Sequence, residues 1–148
     1  IRAKERKQRM LAMAGLEMRK DALAAKQQLI DDVMEKVKEA IMVMPRDEYR
    51  HIVSKMLLES AQGHEEVYFS VVDEGRLDQS IVDEVNNLLR AGGKKGELRL
   101  SPKREEFHGG FILSTGAMEI NNTFGALIRT SRDEVESELA RILFKEEG

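Results

Sequence analysis

The chain has 148 residues, enough for about one ordinary domain, and 34% of them are charged whereas only 5% are aromatic. This balance is more typical of long exposed helices than of a compact globule. The net charge of −3 argues against nucleic-acid binding by the chain as a whole, and the absence of cysteine excludes a disulfide framework and a thiolate metal site. No apolar run approaches the roughly 18 residues of a membrane-spanning helix, so we expect any link to a membrane to be indirect.

A row of apolar residues recurs with an eleven-residue period in the first 44 residues. Its members follow one another in steps of three, four and four, and all except Lys36 are apolar: Leu11, Ala14, Met18, Ala22, Ala25, Leu29, Val33, Lys36, Ala40 and Met44. A period of about 3.67 residues predicts a right-handed supercoil rather than the left-handed heptad kind. Because no proline precedes Pro45, we predict one helix over 1–44, about 66 Å long at 1.5 Å per residue.

The apolar stripe widens near Gln27. Before this residue it is narrow and alanine-rich, which permits close approach of a second helix. We therefore predict an interface with a partner helix formed by Leu11, Ala14, Met18, Ala22, Ala25 and Leu29. The wider part is expected to be buried on more than one side. We predict that it packs on the chain's own head through Ile30, Val33, Met34, Val37, Ile41 and Met44.

These patterns divide the chain into a coiled-coil helix, 1–44, and a globular head domain, 45–148. The first residue is Ile1 rather than Met, so we expect the natural N-terminus to lie upstream and the helix to be longer than the part present.

The head domain alternates helix and strand signals. Acidic residues followed by apolar residues at helical spacing predict a helix over 46–61, and the β-branched run 67–72 predicts a strand. A third helix closes at Gly92-Gly93, a short strand covers 97–100, and strands 110–114 and 117–120 form a hairpin. Asn122 or Thr123 can cap a final helix. The predicted class is α+β, a short and at least partly antiparallel sheet flanked by helices.

No residue pattern in the chain predicts catalysis, a cofactor or a metal. The segment Gly92-Gly93-Lys94-Lys95-Gly96 lacks the spacing and the Ser or Thr of a P-loop. No metal ligand lies at the required spacing from any of the three histidines, His51, His64 and His108. His51 lies beside an apolar helix face and is expected to be half-buried. Neighbouring carboxylates such as Asp31 and Asp32 point about 100° apart on a helix, so they do not form an acid–base couple.

The start of the chain is basic. Residues 1–9 carry five Lys or Arg side chains against Glu5, a net charge of +4. Such a run could bind RNA or anionic lipid, but it is more often a solvated helix face, and no aromatic platform for stacking bases accompanies it. A free coiled-coil adaptor and a basic-helix RNA-binding protein therefore remain alternative functions.

The C-terminal part carries a more specific pattern. Its residues, in order, are Gly109-Gly110-Phe111-Ile112-Leu113, Gly116, Met118-Glu119-Ile120-Asn121-Asn122-Thr123-Phe124 and Ile142-Leu143-Phe144. This pattern resembles the E subunit of rotary ATP synthases and ATPases of the archaeal and vacuolar type. In that family a glycine pair opens a strand, a short turn leads to a second strand, and an Asn-Thr/Ser-aromatic step starts the terminal helix. The resemblance extends back through the long helix.

The resemblance implies a non-catalytic peripheral-stalk, or stator, subunit of a proton- or sodium-translocating complex, located on the cytoplasmic side of the membrane. Its long helix would pair with a small helical stalk subunit in a right-handed coiled coil. Its head would bind the non-catalytic nucleotide-binding subunit, and its N-terminal end would reach the collar and membrane stator subunits. No cofactor is implied. Because bare apolar seams are rarely stable, we expect the isolated chain to form a homo-oligomer through this helix.

Overall fold

The computed structural model describes residues 1–144 and has the predicted order of elements. They are α1 (Arg2–Val43), α2 (Arg46–Ser60), β1 (Glu66–Tyr68), a 3-10 turn (Val71–Asp73), α3 (Gln79–Ala91), β2 (Arg99–Leu100), β3 (Gly110–Ser114), β4 (Glu119–Thr123) and α4 (Phe124–Phe144). The predicted α+β class is confirmed. By their contacts, residues 1–36 and 129–144 form one compact unit, unit 1, and Val37–Ile128 form another, unit 2. The predicted division at residue 44 stays a prediction.

Unit 1 contains most of α1 and most of α4. None of the residues of α1, all of which the structure describes, is fully buried. One side of the helix is half-buried, at Leu23, Ile30 and Met34. Asp31 on α1 binds Arg132 on α4, with Arg132 Nη2 2.5 Å and Nε 2.6 Å from Asp31 Oδ1. This ion pair joins the two helices within the unit.

Unit 2 is built around a four-stranded mixed sheet in the order β2-β1-β3-β4. β1 pairs parallel to β2 and antiparallel to β3. The predicted hairpin of β3 and β4 is confirmed, with Gly110 opposite Thr123 and Ser114 opposite Glu119. The second hairpin strand lies two to three residues later than predicted, because the chain turns over Thr115–Met118 and then pairs along the whole of β3.

The structure corrects the predicted strand 67–72 and the expectation for His51, and it selects one of the two predicted caps of α4. The predicted strand 67–72 ends at Tyr68, since Ser70 accepts a hydrogen bond from the Val72 backbone N–H and starts the 3-10 turn. Asn122 belongs to β4, and it is the Thr123 hydroxyl that caps α4, accepting from the Ala126 N–H at 3.2 Å. The expectation for His51 is wrong, because its side chain is exposed on α2.

The hydrophobic core of unit 2 combines one side of α2 and α3 with residues of the sheet. Tyr49, Val53 and Leu57 follow one another at i, i+4 on α2, so that they project from one face of the helix. The α3 contribution has the same helical spacing, and the sheet adds residues from β1 and β3. The main members are Tyr49, Val53, Leu57, Val67, Phe69, Leu77, Ile81, Val82, Val85, Leu89, Phe111 and Leu113.

Candidate assembly surface and helix junction

The predicted partner-helix row on α1 is exposed to solvent. Leu11, Met18 and Leu29 expose 64%, 72% and 63% of their surfaces. Ala14 and Ala25 are also exposed, and Ala22 is half-buried. We call these six residues the open row. Large apolar side chains at this exposure, repeated along one helix, are typical of an interface with another chain. Their role in an interface stays a prediction.

The residues predicted to pack the helix on the head fall into three groups. Ile41 and Met44 pack against the core of unit 2. Ile30 and Met34 are half-buried in unit 1, whereas Val33 and Val37 are 48% and 39% exposed. The structure thus brings two of the six residues to the core of unit 2.

One half-buried residue of α1 with a large apolar side chain was missed by the sequence interpretation. Leu23 lies on the same face as Ile30, seven residues later, and Met34. We call Leu23, Ile30 and Met34 the covered row. The seven-residue repeat of Leu16, Leu23 and Ile30 was the signal. The stripe is therefore already two rows wide before Gln27, and the narrow stripe predicted there is wrong.

A buried polar network lies where α1 ends in unit 2. The Tyr49 hydroxyl donates to Asp73 Oδ2 at 2.5 Å, and Arg76 Nη2 lies 2.8 Å from Asp73 Oδ1. Asp73 is fully buried, so its charge depends on these partners. The Arg76 guanidinium also stacks on the Tyr49 ring, 3.7 Å from its centroid. Burial and then the hydrogen bond to Asp73 raise the pKa of Tyr49 well above its ordinary value, so its hydroxyl stays protonated.

Arg76 connects this network to the end of the long helix. Its Nη1 donates to the backbone carbonyl of Ile41 at 2.8 Å and to that of Met44 at 3.4 Å. The last carbonyls of a helix have no partner within the helix, and the last turn of α1 contains no basic residue of its own. Arg76 supplies both the missing donor and a positive charge at the negative end of the helix dipole.

The glycine pair that opens β3 completes the junction. Gly109 and Gly110 have φ values of +108° and +82°, which favour glycine. A Cβ at Gly110 would lie 2.4 Å from the Asn122 carbonyl oxygen, and one at Gly109 would lie 2.8 Å from the Tyr49 hydroxyl. The close approach lets the Gly110 N–H donate to that hydroxyl at 3.0 Å.

The first residue of α4 contacts the same tyrosine. The Phe124 ring centroid lies 5.9 Å from that of Tyr49, with the rings tilted by 49°. Tyr49, Asp73, Arg76, Gly109 and Gly110, here called the junction, thus fix the end of α1, the start of β3 and the start of α4 around one aromatic ring. The junction supports packing rather than chemistry, because its side-chain polar groups are bound to other parts of the chain.

Within residues 1–144, no group of three or more His, Asp or Glu side chains is placed to hold a metal ion. His64 and His108, like His51, are exposed, and Lys94 and Lys95 lie in an exposed turn. Among the described residues, no helix is long and apolar enough to cross a membrane.

A long helix with an open apolar row, joined to a small head by packing and hydrogen bonds, defines a structural protein that acts by assembling with other chains.

Comparison with known proteins identifies the assembly. The profile of the family described as the ATP synthase (E/31 kDa) subunit matches residues 2–144. The E subunit of the V-type ATP synthase of Clostridium botulinum (strain Langeland) is 35% identical over 143 residues, covering 96% of this chain and 72% of the relative. The E subunit of the V-type proton ATPase of Thermoanaerobacter pseudethanolicus is 38% identical over 125 residues, covering 84% and 62%. The E 1 subunit of the V-type ATP synthase of Clostridium tetani is 35% identical over 145 residues, covering 97% and 73%.

The chain belongs to the family of E subunits of V-type ATP synthases. It is a non-catalytic component of the peripheral stalk, and ATP synthesis and ion transport are activities of the whole complex. The resemblance inferred from Gly109 to Phe124 is confirmed, and the junction gives the physical reason for the glycine pair in that pattern.

Proposed function

We propose that α1 pairs with a helix of a small helical stalk subunit in a right-handed coiled coil, and that the open row is the seam of this pair. The observation that carries the proposal is the exposure of Leu11, Met18 and Leu29 on a helix whose apolar row advances by three, four and four residues. Ala14, Ala22 and Ala25 alternate with these larger side chains, and small residues allow two helices to approach closely.

The head would bind the N-terminal region of the non-catalytic nucleotide-binding subunit, on the cytoplasmic side of the membrane. The opposite end of the stalk would reach the collar and membrane stator subunits. In this arrangement the chain keeps the catalytic head from turning with the rotor. Two supercoiled helices suit that task, since their backbone hydrogen bonds run along the axis that carries the load. The junction would transfer the load, because it holds the end of α1 to the core of the head.

Sedimentation velocity of the full chain, alone and mixed with the small helical stalk subunit from the same source, tests the proposal. We expect a self-associated species that converts to a heterodimer on mixing. Met18→Asp and Leu29→Asp should abolish the heterodimer, because each places a charge in the seam. Ala24→Asp is the matched control, since Ala24 is exposed but lies on another side of α1. Circular dichroism should show an unchanged head in all three variants.

Two results would contradict the proposal. A chain that stays monomeric in both samples would have no seam, and global unfolding of Leu29→Asp would assign the row to the chain's own core. The same preparation separates the alternative functions, because appreciable RNA retention or ATP hydrolysis by the purified chain would disagree with a purely structural role.

A further inference from the structure

The open row of α1 has charges of opposite sign along its two sides. At the eleven-residue period of the row, successive residues advance by about 98° around the helix. Asp21 and Asp32, eleven residues apart, therefore lie about 65° to one side of the midline of the row, and Lys4 and Lys26 lie about 65° to the other side. All four side chains are exposed. The open row thus has an acidic flank and a basic flank.

The two charges beside the middle of the row have no opposite charge to pair with along their own helix. Side chains three and four positions apart are neighbours on a helix surface. At these distances from Asp21 the chain has Glu17 and apolar residues, and at these distances from Lys26 it has apolar residues alone. Asp21 and Lys26 are therefore free to pair with a helix that packs along the open row.

The direction of a second helix decides which flanks meet. If two copies of α1 pack in parallel about a twofold axis, the acidic flank of one faces the basic flank of the other. In parallel coiled coils the flanking g position of one helix pairs with the e position five residues later on the other, and Asp21 and Lys26 have this spacing. In an antiparallel pair each flank faces its own kind, so that Asp21 and Glu17 of both copies would repel one another.

We propose that the open row of the free chain is covered by a second copy of this chain, packed parallel and in register, with Asp21 of each copy facing Lys26 of the other. The symmetry of the pair gives two such contacts. The inference rests on the proposed role of the open row as a coiled-coil seam. The small helical stalk subunit would use the same row, so binding of that subunit and pairing with a second copy exclude each other.

Cysteine cross-linking of the full chain without the stalk subunit tests the arrangement, because the chain contains no cysteine of its own. Leu11→Cys and Leu29→Cys each place one thiol near an end of the open row, and the two positions are about 27 Å apart along the helix. With a short bismaleimide, a parallel pair gives covalent dimers of each single variant. Ala24→Cys, exposed on another side of α1, is the control and should stay uncoupled.

An antiparallel pair would give the opposite pattern, because position 11 would then meet position 29. Cross-links that form only in a mixture of Leu11→Cys and Leu29→Cys would overturn the inference, as would coupling no greater than that of Ala24→Cys. Neither result decides the pairing with the stalk subunit, which is measured separately by sedimentation of the mixed proteins.

Charge reversal gives a second readout, with the dissociation constant of the self-associated chain measured by sedimentation equilibrium. Lys26→Asp replaces both attractive pairs by repulsive ones and should raise this constant about tenfold. Adding Asp21→Lys to the same chain should bring it back to within about threefold of the wild type, since the charges again oppose each other.

Lys20→Asp is the matched control for the charge reversal, because Lys20 is exposed on the side of α1 away from the open row. It should change the dissociation constant less than about twofold. Equal effects of Lys20→Asp and Lys26→Asp, or no recovery in the double variant, would overturn the inference.

Discussion

Arg76 is the residue on which the junction depends most. It neutralises the buried carboxylate of Asp73, stacks on Tyr49 and caps the final carbonyls of α1. These contacts join residues that are distant in the chain, with Tyr49 and Asp73 separated by 24 positions. No sequence motif indicates these contacts, so the network could not be predicted from sequence. The glycine pair at 109 and 110 was the one visible sign that another group approaches the backbone there.

Replacing Arg76 by Met should lower the free energy of unfolding by about 3 kcal/mol, because Asp73 would be left as a buried charge without its cation. Urea denaturation followed by circular dichroism measures the change. Arg99→Met is the control, since Arg99 is exposed on β2 and its substitution should cost less than about 0.5 kcal/mol. Equal stability of the two variants would show that the ion pair contributes little.

Gly110→Ala tests the backbone of the junction. The added Cβ would meet the Asn122 carbonyl oxygen at 2.4 Å in a conformation with φ of +82°, so we expect a loss of about 2 kcal/mol or more. Gly75→Ala is the matched control, because a Cβ there has nothing within 4 Å and no positive φ opposes it. Thermal unfolding of both variants should show a lowered midpoint for Gly110→Ala alone. Similar midpoints would mean that β3 does not need its glycine.

At the scale of elements, periodicity predicted the helices better than the strands. The apolar row and the lack of proline before Pro45 were sufficient to predict α1 as one helix. The i, i+4 spacing of apolar residues was sufficient to predict α2. The bounds of β1 and β4 were less accurate because tertiary contacts set them. Ser70 diverts the chain into a 3-10 turn although Val71 and Val72 favour a strand, and β4 extends to Thr123 because β3 offers it partners.

The candidate assembly surface was also predicted only in part, because tertiary contacts decide which helix faces are covered. Spacing along one helix identified the open row, whose exposure fits an interface. The same spacing could not show which rows face α4, since the ion pair of Asp31 with Arg132 joins residues 101 positions apart. Only the structure separates the exposed Val135 and Ile142 of α4 from the half-buried Leu139 and Leu143.

The start of α3 is stabilised by a charge that links it to α2. Asp78 caps α3 by accepting from the Ser80 N–H at 3.1 Å, and Arg50 Nη1 on α2 lies 3.1 Å from the same carboxylate. The Ser80 hydroxyl and the Arg50 guanidinium lower the pKa of Asp78 from 3.8 to about 2. A lowered pKa in the folded state stabilises the fold above pH 3.8, and this contribution is lost as the pH falls through about 2.

Asp78→Asn keeps a capping side chain but removes the charge. Because Asp78 is about half exposed, we expect a loss of only about 1 kcal/mol at pH 7. The difference from the wild type should shrink as the pH falls from about 4 to about 2, measured by urea titrations across that range. Asp133→Asn, at an exposed position on α4, is the control. A difference that stays constant down to pH 2 would contradict the assignment of the stabilisation to this charge.

At the level of the whole molecule, we propose that a long helix carries load by pairing with another protein of the stalk while the junction holds its end to the head. Family membership establishes a non-catalytic component of the peripheral stalk. The exposure of the open row, together with its period, argues for a helical partner. The decisive measurement identifies the protein that contacts the open row of α1.

Photo-crosslinking in the assembled ATP synthase provides that measurement. The full chain carrying Leu29→Cys, labelled with benzophenone maleimide, would be incorporated into the complex and irradiated, and the adduct identified by mass spectrometry. Ala24→Cys on another side of α1 is the control. We expect one main adduct at position 29, with the small helical stalk subunit, and little at position 24. An adduct of position 29 with a second copy of this chain, or equal labelling from both positions, would contradict it.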